Sequence, residues 1–77
     1  MSPAITVGTR VCLKDQPTYL KTADAMSMLR PPDLVDVTEV GQVVALRALE
    51  QVAVRFRRGS FLFDSSQLIA LDDALSD

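Results

Sequence analysis

The chain contains no histidine, which removes the commonest general acid–base group and the commonest metal ligand together. Cys12 is the single cysteine. Without an imidazole it can form neither a Cys–His nucleophile nor a thiolate metal site. It shares a strand face with Arg10 and Lys14, cations that would favour a reactive thiol; the plainer reading is an inert thiol at a strand position. Asp33 and Asp36 lie three apart in an irregular stretch, and Asp72 and Asp73 are adjacent near the end of the chain. Neither spacing fixes two carboxylates for acid–base work, so both pairs read as solvated acids. Gly8, Gly41 and Gly59 form no phosphate-cradling motif. The expectation is a non-enzymatic protein with no cofactor and no metal.

Binding residues are easier to find. Arg55, Arg57 and Arg58 make the densest basic cluster. On a strand, Arg55 and Arg57 project from the same side, with Arg58 opening a turn. Such a cluster suits docking against an acidic partner surface, or it is a solvated edge with local ion pairs. Single-stranded nucleic acid would also want stacking aromatics beside the arginines, and Phe56 points to the opposite side. The second candidate is the stretch 19–35, YLKTADAMSMLRPPDLV. Tyr and Arg are enriched at the energetic centres of interfaces, and methionines adapt to varied contacts. Met26, Met28 and Leu29 could instead fold back as a lid over the core. The expected partner contacts are Tyr19, Lys21, Met28, Arg30, Arg55 and Arg57.

Strands must position these residues. Residues 5–14 alternate, with Ile5, Val7, Thr9, Val11 and Leu13 on one face, a period of two that means a strand. Gly8 within it suggests a bulge or tight bend, and residues 15–18, DQPT, read as a turn. Stretch 19–35 shows no such alternation, and Pro31-Pro32 forbids a helix through it. It therefore reads as one long loop between the first two strands. Residues 41–47 favour strand over helix because two valines follow a glycine. In residues 51–57, Val52, Val54 and Phe56 point inward while Gln51, Ala53, Arg55 and Arg57 point outward. Arg58-Gly59-Ser60 is a hairpin turn that leads into a fourth strand, residues 61–64. Residues 64–68 suggest a single 3-10 turn, and residues 68–71 a last short strand. Five short strands with tight turns predict an all-β chain folded as a small five-stranded SH3-like barrel.

The composition bounds the class. The chain has 77 residues, of which 48% are hydrophobic and 23% charged, enough for one domain around one modest core. Segments 1–4 and 72–77 are expected to fray. A net charge of −2 argues against nucleic acid as a partner, because its binders are usually basic. One cysteine gives no internal disulfide and fits a reducing compartment. No apolar run approaches the roughly 18 residues of a membrane span, and no basic-then-apolar leader opens the chain. A cytoplasmic monomer is expected.

Four motifs carry a resemblance to a known family: VGTRVCL from Val7, YLKTADAMSMLRPPDLV from Tyr19, VGQVVAL from Val40, and VRFRRGSFLFDSSQL from Val54. Together they run from Val7 to Leu68. They resemble the cyanobacterial SipA family, small SH3-like proteins that interact with the stress-response sensor histidine kinase. A more distant likeness is to plastid proteins needed to assemble the NADH dehydrogenase-like complex. The KTAD…MLRPPD segment is the specific part, since the strand motifs would suit many small barrels. The resemblance implies a regulator that binds the ATP-binding domain of the kinase and modulates its autophosphorylation. The alternative it implies is an accessory or assembly subunit of a photosynthetic electron-transfer complex.

Overall fold

The computed structural model describes residues 5–24, 26 and 28–71; the expected fraying of 1–4 and 72–77 lies outside them. Seven strands follow one another: β1 (Arg10–Leu13), β2 (Leu20–Thr22), β3 (Leu29–Arg30), β4 (Gly41–Leu46), β5 (Gln51–Phe56), β6 (Gly59–Asp64) and β7 (Leu68–Leu71). Single 3-10 turns at Pro32–Leu34 and Ser65–Gln67 punctuate them. The second is closed by the Gln67 Oε1 atom, which accepts the Asp64 amide at 2.9 Å. No α-helix occurs among the described residues.

All strands pair antiparallel in one sheet, in the order β3-β2-β6-β5-β4-β1-β7. In a flat sheet, strands spaced about 4.8 Å would set β2 and β7 some ~24 Å apart. Leu20 of β2 and Leu68 of β7 nevertheless share one buried cluster with Val11, Val43, Val54 and Phe61. The sheet therefore curls around its core. Phe56 meets Phe63 edge-on inside it, with ring centroids 5.8 Å apart and planes at 78°, an arrangement worth about 0.5–1.5 kcal/mol beyond simple burial.

The sequence predicts five strands closed into a barrel; the structure has seven in an open, curled sheet. The five expected strands are present as β1, β4, β5, β6 and β7. The additional two fall inside the stretch read as one long loop, where strands of three and two residues are too short to show alternation. No pairing joins β3 to β7 among the described residues. After β3 come Pro31 and Pro32, which lack the amide hydrogens that would carry a ladder onward.

Three smaller corrections concern side-chain direction. Strand β1 begins only at Arg10, because a turn at Val7 and Gly8 (φ +97° at Gly8) interrupts the alternating run and leaves Val7 exposed. Ala53, expected outside, is 2% exposed: its methyl lies in the central strand between Ala45 and Leu62 and is too short to reach past its neighbours. The hairpin turn after β5 is Arg57-Arg58, closed by the pair Phe56 and Gly59. Alternation therefore no longer fixes where Arg57 points.

Candidate functional site

The β5–β6 hairpin organises the cationic side chains. Arg55 is on β5, Arg57 and Arg58 form the turn, and all three are exposed. The Arg57 amide donates to the Glu39 Oε2 atom at 2.9 Å, which ties the tip to the segment leading into β4. On one flank of the tip is a cleft of about 330 Å³ lined by Met28, Arg30, Leu34, Arg58 and Phe61. On the other, a cleft of about 490 Å³ is lined by Arg10, Val40, Gln42, Arg55 and Phe56. Five of the chain's six arginines thus surround one hairpin tip; only Arg47 is elsewhere, beyond the far end of β4.

Local sequence explains how the short β2–β3 pair is held. Leu20 is fully buried and anchors β2, while Lys21 pairs with Leu29 on one side and with Leu62 on the other. The Thr22 hydroxyl accepts the Met28 amide at 2.8 Å, and the Thr22 amide donates to the Met28 carbonyl at 2.9 Å. This reciprocal clasp presents Met28 at 60% exposure beside Arg30 and Arg58. At the outer end, the Gln16 side-chain amide donates to the Pro32 carbonyl at 2.7 Å.

The six expected contacts do not form one patch. Met28 and Arg30 share a cleft with Arg58. Arg55 belongs to the opposite flank of the hairpin, with Arg57 between them at the tip. Tyr19 and Lys21 line a third cleft of about 280 Å³, with Leu62 and Asp64. Tyr19 is exposed, and Met26, Met28 and Leu29 are exposed too, so these three do not act as a lid over the core. Sequence reasoning did not place Arg10 or Gln42 among the contacts. Arg10 stood opposite the buried Val11 in the alternation, but only the β1–β4–β5 register brings it to Arg55.

A further cleft, about 650 Å³, lies along β7 and is lined by Ile5, Lys14, Leu68, Ile69 and Ala70. None of the six expected contacts borders it. Among the described residues no cluster of three or more His, Cys, Asp or Glu side chains could hold a metal ion. Cys12 is half-buried on β1. No described helix is long and apolar enough to cross a membrane. The arrangement is suited to holding another molecule by charge and apolar contact.

No curated protein and no solved structure matches the chain. A family model does, over residues 7–68, which takes in β1 through β6 and the first residue of β7. The chain belongs to the family described as Protein CHLORORESPIRATORY REDUCTION 42-like.

Proposed function

We propose that this protein is a non-enzymatic regulatory adaptor. It docks on the ATP-binding domain of a sensor histidine kinase and modulates autophosphorylation in stress and light signalling. The observation that carries the docking reading is the ring of five arginines around the β5–β6 tip, with an exposed methionine beside it. The kinase as partner rests on the resemblance of the KTAD…MLRPPD segment to the SipA family. That resemblance also favours reading the curled sheet as an SH3-like barrel, with β2 and β3 added in the long first connection. Docking would act by population shift: binding one kinase conformation better than another changes activity by the difference in affinity. The cytoplasm is the compartment this reading requires.

The test is calorimetric titration of the purified protein with the isolated ATP-binding domain, with amide shifts mapped by NMR. Shifts should cluster on residues 19–30 and 55–58. The double variant Arg55→Glu/Arg57→Glu should weaken binding by at least about tenfold and flatten its salt dependence. A complex that survives both changes would remove the hairpin from the interface.

The family name favours a second reading, an accessory or assembly subunit of a photosynthetic electron-transfer complex. It predicts co-purification with such complexes and no binding to the kinase fragment at high concentration.

A further inference from the structure

On the outer face of the sheet, Arg10 stands opposite Gln42, Gln42 opposite Arg55, and Arg55 opposite Ser60. The row is the solvent side of a ladder whose inner side holds Val11, Gly41 and Val54. Two guanidinium groups therefore leave the sheet on one line, separated by a carboxamide, with their Cα atoms about 10 Å apart. Arg10 keeps an interaction of its own within the chain. Among the described residues, the Arg55 side chain has no hydrogen-bond or ion-pair partner. Beside the row, the 490 Å³ cleft is walled by Val40, which is 50% exposed, and by Phe56.

We infer that the Arg10–Gln42–Arg55 row is a recognition site for an acidic segment of a partner protein, with apolar residues next to its carboxylates. The inference deepens the docking reading and does not depend on which protein carries the segment. Planar guanidinium groups pair with carboxylates bidentately and stay charged at any physiological pH. With both rooted on paired strands either side of Gln42, their backbone needs little ordering before binding. Val40, half exposed, supplies the apolar surface against which the segment's neighbouring side chains pack. The cleft has the size of known small-ligand sites, about 300–1,000 Å³. Nucleic acid fits less well. The exposed aromatic, Tyr19, lines a different cleft, and Phe56 is buried at 4% exposure, so no stacking face meets these arginines.

The experiment is an NMR and calorimetric titration of the full chain with an acetylated peptide of alternating Glu and Leu. The matched Gln–Leu peptide and an oligothymidine are the comparison probes. The Glu–Leu peptide should shift the amides of Arg10, Val40, Gln42 and Arg55, and the Gln–Leu peptide should leave them in place. Arg55→Gln should weaken binding by about tenfold, the loss of one charge-assisted contact. Arg47→Gln, beyond the far end of β4, should leave binding unchanged. Equal binding of the neutral peptide, tighter binding of the oligothymidine, or unchanged affinity in Arg55→Gln would each overturn the assignment. The peptide involves no kinase, so this site and the kinase reading can fail separately.

Discussion

A Cβ placed on Gly41 would stand 2.6 Å from both the Phe56 Cε1 and the Val54 Cγ1 atoms. Both neighbours belong to the central strand and to the buried core, so neither can give way without disturbing the packing around it. Gly41→Ala is therefore expected to destabilise the protein by about 1–3 kcal/mol, the usual range for overpacking. Denaturant unfolding would show it as a lower midpoint with an unchanged slope. Asp36 makes a different residue-level contribution. Its Oδ1 atom accepts the Thr38 amide at 2.8 Å and the Thr38 hydroxyl at 2.7 Å. These bonds, the backbone one foremost, hold its carboxyl below the ordinary value of 3.8. A carboxyl depressed by folding adds stability that is fully present above that ordinary value and lost as the pH falls through the lower, folded one. Asp36→Asn should reduce the acid sensitivity of unfolding below about pH 4. Identical acid profiles for the two proteins would show that this turn carries no such linkage.

The β4–β5 connection is an element built against local preference. Leu49 and Glu50 both adopt the left-handed conformation, at φ 60° and 61°. The Gln51 amide closes the turn on the Ala48 carbonyl at 3.3 Å, and the Arg47 amide reaches the Gln51 carbonyl at 2.7 Å. Such turns usually place Asn and Gly at the two central positions, because other residues meet a steric cost there. Glu50 is partly compensated: its carbonyl accepts the Ser65 amide at 3.0 Å and its carboxylate the Ser65 hydroxyl at 3.2 Å. Leu49 has no such return and is 91% exposed. Leu49→Asn should raise stability by up to about 1 kcal/mol, seen as a higher melting temperature. A lower melting temperature would mean that Leu49 packs in a way its exposure hides. The same elements show what the sequence could reveal. Val43 and Val44 after Gly41 were enough to read β4 as a strand, and the alternation of Val52, Val54 and Phe56 gave the inner face of β5. Strands β2 and β3 could not be read, because their stability comes from Leu20 entering the core and from the Thr22–Met28 clasp, not from a local period. The grouping of Arg10 with Arg55 was equally hidden, since it depends on two successive pairings, Arg10 with Gln42 and Gln42 with Arg55, that no local pattern encodes.

At the scale of the whole molecule, the strand order sets a gradient of stability along the sheet. Strand β5 is central, flanked by six-residue partners on both sides, while β3 is a two-residue edge. Local opening should therefore be rarest in β5 and most frequent in β3, where few buried contacts oppose it. None of β3 is buried: Leu29 and Arg30 both face solvent. Native-state hydrogen exchange should find the Val52 and Val54 amides among the slowest and the Leu29 and Arg30 amides among the fastest. The gradient also bears on function, because the residues proposed for docking straddle it. Arg55 is rooted in the rigid centre, whereas Met28 and Arg30 sit on the edge that opens most easily. A partner that binds both must hold β3 down, and the free energy of ordering it is subtracted from the affinity. Saturating the protein with the kinase fragment should slow exchange at residues 28–30 by a larger factor than at β7, the other edge. Equal slowing at both edges would indicate general stabilisation by ligand binding, and the β2–β3 pair would then lie outside the interface.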